Sequence, residues 1–282
     1  MKIDNFDLDD FVTRALEEDL GTGGDVTGNS TIDADARFAA VMDTREAISV
    51  AGIEIAAAFF RRLDPDVEID LLVKDGDRVP AGTDLMRLKG NARAMLAAER
   101  PALNTLQILS GIATMATKFA DAVEGTGATM LDTRKTIPGM RAVSKYASRM
   151  GGASNHRMRL DDGLLIKDNH IAVNGSDIAR TVARAKAADH GLEVQVEVDR
   201  IDQIGPALAA GADRLLLDNM PPSVLREAVA LVAGRVPLEA SGGVNLDTVR
   251  AIAETGVDYI STSKITHGAP AVDIGLDYAM AE

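Results

Sequence analysis

The sequence contains no cysteine among its 282 residues, which excludes disulfide bonds, thiol nucleophiles and thiolate metal sites. It also lacks an HExxH pattern and any His/Asp/Glu spacing typical of a tight zinc site. A GxSxG nucleophile elbow is missing, and no Gly-rich dinucleotide-binding fingerprint follows a strand-like run. These absences argue against zinc chemistry, covalent serine catalysis and dinucleotide binding.

Signals for export and membrane insertion are missing too. No uncharged apolar run approaches about 18 residues, and the acidic start MKIDNFDLDD lacks the basic and then apolar pattern of a secretory signal. Hydrophobic residues make up 46% of the chain, so a sizeable core can form without metal or disulfide staples. We therefore expect a cytoplasmic protein that does not bind membranes.

The charge distribution is uneven. The formal net charge of −13 argues against general nucleic-acid binding, which requires a basic face. Between Leu131 and His170, however, eight Lys or Arg stand against four Asp, a net charge of +4, which leaves −17 for the remainder. A basic stretch in an acidic protein indicates either a pocket for a small polyanion or a solvated charged segment.

The first hundred or so residues predict a mixed α/β unit. Helical patterns cover Phe11–Leu20 and Ile53–Leu63, and alternation over Val67–Val73 predicts a half-buried strand. Residues 92–120 are rich in helix formers, and Pro101 predicts a break or a new helix start there. From Ala128 onward, short apolar runs alternate with helical segments; the predicted strands are ATML, LLI, VQVEV, RLLL, PLEA and DYIS.

Alternating strands and helices predict parallel strands joined by right-handed crossovers. With at least six strands, the residues favour a closed α/β barrel over an open doubly wound sheet. The predicted strands run into polar residues, among them Asp132-Thr133-Arg134-Lys135, Lys167-Asp168, Glu197, Asp218-Asn219, Ser241-Gly242-Gly243 and Ser261-Thr262-Ser263. Because active sites of such barrels lie at the carboxyl ends of the strands, these residues predict one shared site.

The residue types at these positions suit a polyanionic substrate. Cationic donors for carboxylates or phosphates are supplied by Arg134, Lys135, His156, Arg157 and Lys167. Glu197 and Asp218 are candidates for orienting ribose hydroxyls or holding Mg²⁺ beside pyrophosphate. The turn Ser241-Gly242-Gly243, before a helix expected near Leu246, offers backbone N–H groups to a phosphate.

Several long motifs resemble one family throughout the chain. LDTRKTIPGMRAVSKYA, GGASNHRMRLDDGLLIKDNHI, AERPALNTLQILSGIAT and LEASGGVNLDTVRAIAETGVDYIS are similar to quinolinate phosphoribosyltransferases. The resemblance implies an N-terminal α/β sandwich over residues 1–112 and an open or incomplete α/β barrel over residues 113–282. It implies transfer of phosphoribose from phosphoribosyl pyrophosphate to quinolinate with loss of carbon dioxide, as a step of NAD biosynthesis. It further implies a homodimer in which Arg100 reaches the partner's barrel.

The resemblance also implies roles for the site residues. Arg134, Lys135, His156 and Arg157 are expected around the quinolinate carboxylates, and Lys167 is expected near both substrates. Glu197 and Asp218 are expected on the ribose and magnesium side. Ser241, Gly242 and Ser263 are expected to hold the 5-phosphate, although Ser263 and Gly268 depart from the family's pattern, as do Pro101 and Ala153.

Four other interpretations stay open from the sequence. A paralogue associated with molybdenum transport would use another ring or anion, and a nicotinate-specific transferase would need fewer cations. A non-catalytic anion-binding module would bind ligand without turnover. A Schiff-base aldolase is conceivable because Lys167 follows a predicted strand.

Overall fold

The computed structural model describes residues 3–278, and their contacts divide into two compact units. The first unit comprises Met1–Met115, Ala142–Gly151 and Ala269–Glu282, and the second comprises Ala116–Arg141 and Gly152–Gly268, each as far as it is described. The boundary that we drew between residues 112 and 113 cuts the chain once, whereas these units share it in alternating segments. That boundary stays a prediction.

Regular elements follow one another closely along the chain. Up to residue 123 they are α1 (Leu8–Leu20), α2 (Val26–Thr31), β1 (Arg37–Thr44), β2 (Ile48–Ser49), α3 (Ile53–Leu63), β3 (Glu68–Leu71), β4 (Arg78–Val79), β5 (Asp84–Asn91) and α4 (Ala92–Val123). Thereafter they are β6 (Thr129–Leu131), α5 (Arg141–Met150), β7 (Leu164–Ile166), α6 (Asp168–Val173), α7 (Ile178–Ala187), β8 (Val194–Val198), α8 (Ile204–Ala209), β9 (Arg214–Asp218), α9 (Pro222–Val232), β10 (Leu238–Ser241), α10 (Val249–Ala253), β11 (Tyr259–Ser261) and β12 (Ile274–Tyr278).

The first unit contains an antiparallel sheet with the strand order β12-β1-β5-β3. Its helix α3 has the bounds predicted from the sequence, and it buries Ile55, Phe59 and Phe60 completely or nearly so. The start of this helix is held from elsewhere in the unit, because Asp75 Oδ1 accepts hydrogen bonds from the backbone N–H groups of Gly52 and Ile53. This satisfies donors that a helix start otherwise leaves without partners.

Helix α4 continues through Pro101, so the predicted break there is wrong. A proline inside a helix removes one backbone hydrogen bond and costs about 3 kcal/mol. Packing offsets this cost, since Ala98, Ala102, Leu103 and Leu106 around it are buried. Among residues 3–278, no helix combines the length and the apolarity that crossing a bilayer requires.

The second unit is built on six parallel strands in the order β6-β11-β10-β9-β8-β7. All six strands were predicted from the sequence. Within the described residues β6 and β7 are the edges and are not paired with each other, so the sheet does not close. The closed barrel favoured by the residue pattern is therefore wrong, and the open or incomplete barrel implied by the resemblance is confirmed.

Candidate active site

A cavity of about 660 Å³ lies at the carboxyl ends of the parallel strands in the second unit. Nine of the predicted site residues line it: Arg134, Lys135, His156, Arg157, Lys167, Glu197, Asp218, Ser241 and Gly242. The shared site expected from the polar strand ends is thus present as one cavity, although the role of each residue in it stays a prediction.

The residues that line the cavity show that the parallel sheet is strongly curved. Arg134 follows the edge strand β6, and Lys167 follows the opposite edge strand β7, yet both line the same space. Five spacings between six flat strands would hold these edges about 24 Å apart. The sheet must therefore curl so that its two edges approach each other, as in a barrel with one side open.

Two guanidinium groups meet on one wall of the cavity. The pKa of Arg157 is lowered by burial and by the positive charge of Arg134. Arg157 Nη1 donates to the carbonyl oxygen of Gly163 at 2.7 Å. Arg134 Nε is buried and has no hydrogen-bond partner within residues 3–278. Like charges held together with an unused donor are chemically suited to an anion with several oxygens.

Carboxylates occupy the neighbouring wall. Lys167 Nζ contacts Glu197 Oε2, which joins the ends of the adjacent strands β7 and β8. Asp218 ends β9, and its Oδ2 accepts a hydrogen bond from Asn219 Nδ2 at 2.7 Å. Asn219 has a left-handed backbone with φ of 56°, and its N–H donates to the carbonyl oxygen of Ser241 at 2.8 Å. The sequence placed Asn219 at a strand end but gave it no role, whereas in the structure it orients the Asp218 carboxylate.

The Gly-rich turn after β10 joins the main cavity to a smaller one of about 190 Å³. Ser241, Gly242 and Gly243 line both, and Ser263 lines the smaller one together with Lys264. The helix expected near Leu246 begins only at Val249, so the turn is separated from it by several residues. Any phosphate site here would rely on turn N–H groups and hydroxyls rather than on a helix start.

A buried carboxylate at the cavity was also missed. Glu239 lies in β10 and its side chain is fully buried, although it lines the cavity. The sequence signal was a charged residue inside the apolar run PLEA, which we interpreted only as a strand. Three partners meet its Oε2, namely Gln195 Nε2 at 2.8 Å, Arg214 Nη2 at 2.7 Å and His156 Nε2 at 3.4 Å.

Arg100 lies on α4 in the first unit, whereas the other predicted site residues belong to the second unit. Its side chain is exposed and makes no ion pair or side-chain hydrogen bond with the rest of residues 3–278. The geometry of the second unit alone therefore brings together all the predicted site residues except this one.

Comparisons with known proteins agree with this architecture. A family model for the C-terminal domain of quinolinate phosphoribosyl transferase matches residues 112–277, and the model for the N-terminal domain matches residues 25–110. A curated relative from Mycobacterium leprae, named nicotinate-nucleotide pyrophosphorylase (carboxylating), is 41% identical over 276 residues, covering 95% of this chain and 96% of the relative. A probable nicotinate-nucleotide pyrophosphorylase (carboxylating) from Bacillus subtilis is 40% identical over 264 residues, covering 94% and 91%.

Solved structures are similar over the same length. The nicotinate-nucleotide pyrophosphorylase from Ehrlichia chaffeensis superposes with a TM-score of 0.93 at 39% identity, covering 98% of this chain and 100% of that one. The corresponding structure from Francisella tularensis has a TM-score of 0.91 at 39% identity and covers 99% of both chains.

Proposed function

The chain belongs to the quinolinate phosphoribosyltransferase family, and we propose that it transfers phosphoribose from phosphoribosyl pyrophosphate to quinolinate. The products are nicotinate mononucleotide, pyrophosphate and carbon dioxide, and the reaction serves NAD biosynthesis. The names of the relatives support this activity over that of a paralogue with another acceptor or of a non-catalytic binding module.

The observation that carries the proposal is the pair Arg134 and Arg157. Burial and the positive charge of Arg134 lower the pKa of Arg157, and Arg134 Nε is buried without a partner within the described chain. Quinolinate has two adjacent carboxylates, which match two planar guanidinium groups better than a monocarboxylate would. Lys135, which is exposed at the same cavity, adds positive charge.

The residue types suit each step of the reaction. The bond from ribose C1 to the pyrophosphate oxygen breaks, and both electrons leave with pyrophosphate. The lone pair of the pyridine nitrogen forms the new bond to C1, which makes the ring a pyridinium. The bond from C2 to its carboxylate then breaks, carbon dioxide leaves, and C2 keeps the electron pair and takes a proton from water. No side chain has to act as a nucleophile, and the role of the cations is to position charged reactants.

The proposal includes Mg²⁺ as an ion bound jointly by the protein and the phosphates of the substrate. Within residues 3–278, no cluster of three or more His, Asp or Glu is arranged to hold a metal alone. The donor set nonetheless fits Mg²⁺, which commonly uses one or two protein carboxylates together with substrate phosphates. We assign Asp218 and Glu197 to this side of the site, with Asp218 oriented by Asn219. When bound, the ion would neutralise charge on the departing pyrophosphate.

The remaining assignments concern the 5-phosphate and the assembly. Ser241, Gly242 and Ser263 are proposed to bind the 5-phosphate, which the smaller cavity that they line supports. We also propose a cytoplasmic homodimer in which Arg100 serves the partner's site. The side chain of Arg100, which is exposed and has no partner among residues 3–278, supports this role. Mixing inactive Arg100→Ala with inactive Lys167→Ala should restore activity in mixed dimers, and confirmed subunit exchange without any rescue would contradict the shared site.

The activity itself is tested with purified protein, quinolinate, phosphoribosyl pyrophosphate and Mg²⁺. We expect nicotinate mononucleotide and carbon dioxide in equal amounts, and no product when nicotinate replaces quinolinate. A folded protein that binds phosphoribosyl pyrophosphate but turns over neither acid would contradict the proposal and favour another acceptor. Turnover of nicotinate would instead favour the monocarboxylate enzyme.

A further inference from the structure

Beneath the proposed quinolinate site, the open barrel contains a polar layer. Residues two apart on a strand face the same side of the sheet. Gln195 on β8 is therefore on the same side as Glu197, which lines the cavity. Likewise, Arg214 on β9 shares its side with the cavity-lining Leu216, and Glu239 on β10 lines the cavity directly. Gln195 and Arg214 both donate to Glu239 Oε2 from this layer.

Glu239 is an anion despite its complete burial. Burial alone would raise the pKa of its carboxyl, but hydrogen bonds from His156 and Ser261 and the positive charge of Arg214 lower that pKa overall. The guanidinium of Arg214 lies 3.9 Å from the centroid of the Tyr259 ring, which holds it against the carboxylate. A buried ion pair of this kind is unfavourable to break, because removal of one partner leaves an uncompensated charge.

The contacts of His156 assign its protons. Its Nδ1 accepts the backbone N–H of Arg157 at 2.8 Å, so Nδ1 carries no proton. Its proton is on Nε2, which faces Glu239 Oε2 at 3.4 Å. The backbone N–H of His156 itself donates to the buried Asp132 Oδ1 at 2.9 Å. The ring is thus engaged at both nitrogens, one by a buried carboxylate and the other by the backbone that carries a cavity arginine.

We propose that Glu239 is a positioning residue, which fixes His156 as the Nε2–H tautomer and thereby holds the backbone that presents the Arg157 guanidinium to the substrate. Its effect on substrate binding rests on the proposed function. The predicted role of His156 implied that its ring N–H binds a substrate carboxylate. In this arrangement the ring N–H faces Glu239 instead. Its side chain lines the cavity and connects Glu239 to the backbone N–H of Arg157.

The first test needs neither substrate nor a Glu239 variant. Long-range ¹H–¹⁵N NMR of the resting protein labelled in histidine distinguishes the two tautomers and the doubly protonated ring, and a His156→Gln variant identifies the signals of His156. We expect the Nε2–H tautomer at neutral pH. An Nδ1–H tautomer or a doubly protonated ring would overturn the inference, whether or not the protein turns over quinolinate.

The second test compares Glu239→Gln with Glu254→Gln. Glu254 is an exposed carboxylate in the same unit that also pairs with an arginine, Arg250, at 2.7 Å, so its substitution controls for loss of one ion pair. We expect Glu239→Gln to shift the Nε2 proton signal of His156 and to raise the KM for quinolinate at least fivefold, with the KM for phosphoribosyl pyrophosphate changing less than twofold.

Two results of the second test would contradict the positioning role. One is an unchanged His156 signal in folded Glu239→Gln. The other is an equal rise of both KM values, which a general loosening of the unit would produce. Wild-type protein without any turnover would contradict the proposed function instead. The His156 signals of resting wild-type protein and Glu239→Gln would still decide the role of Glu239.

Discussion

Gly242 is the position where one added methyl group should disturb the site most directly. Its φ is +87°, and a Cβ there would lie 2.2 Å from Asn219 Oδ1 and 2.9 Å from the Asn219 backbone nitrogen. The amide would have to move by about 1 Å or more to reach ordinary contact distances, and it would then release Asp218, which it now holds at 2.7 Å. Gly242→Ala should therefore perturb Asp218 without touching it.

The neighbouring glycine provides a matched control for the backbone strain. Gly243 also has a positive φ, of +63°, but a Cβ there would meet nothing within 4 Å. Left-handed backbone costs an alanine about 1–2 kcal/mol in either position. Only Gly242→Ala also loses an exposed hydrogen bond, which contributes about 0.5–1.5 kcal/mol, and gains a steric overlap with Asn219, which costs about 1–3 kcal/mol. We expect a free energy of unfolding about 2 kcal/mol lower for Gly242→Ala than for Gly243→Ala.

The assays are thermal denaturation and steady-state kinetics of both variants. A difference of about 2 kcal/mol corresponds to about 4–8 °C in Tm. If the displaced amide misorients Asp218, kcat/KM for phosphoribosyl pyrophosphate should fall by roughly tenfold more in Gly242→Ala than in Gly243→Ala. Equal Tm values and equal kinetics in the two variants would refute the reasoning, because strain alone would then account for both.

Two further predictions concern hydrogen bonding in the first unit and cation placement in the second. Tyr146 donates to Asp75 Oδ2 at 2.6 Å, and burial together with this bond raises its pKa well above the ordinary 10. The stabilisation by the protonated Tyr146 hydroxyl is present below pH 10 and is lost as pH rises above 10. Tyr146→Phe should therefore lower the free energy of unfolding at neutral pH and weaken its decrease at alkaline pH. Equal pH profiles of both proteins in denaturant titrations would contradict this. Arg157→Ala should weaken quinolinate binding at least tenfold by calorimetry, whereas Arg159→Ala, which removes an exposed pair with Asp161, should not; similar affinities in both variants would refute the assignment.

Much of the fold was predictable because local pattern and burial agree. The helix Ile53–Leu63 has the bounds that its apolar periodicity predicts, since its apolar residues are the buried ones. The parallel strands were predictable for a similar reason, as short apolar runs between helices. Polar residues at strand ends predicted the cavity because parallel strands bring those ends to one edge.

What the sequence did not predict depends on contacts between distant segments. A proline such as Pro101 locally favours a helix break, and α4 stays continuous because buried packing around Pro101 offsets that cost. The strand count mispredicted a closed barrel because it does not reveal which edges pair, whereas the resemblance correctly implied an open or incomplete one. Glu239 was missed because its partners, Gln195 and Arg214, are on other strands, 44 and 25 residues away in sequence. No local pattern reports such a pairing.

The gap between strands β6 and β7 of the parallel sheet has a mechanical consequence. Strands β6 and β7 are not hydrogen-bonded to each other, yet residues that follow both of them line the same cavity. An anion that contacted Arg134 after β6 and Lys167 after β7 would bridge the gap between these two strands. Binding of such an anion would raise the resistance of the second unit to unfolding by mass action.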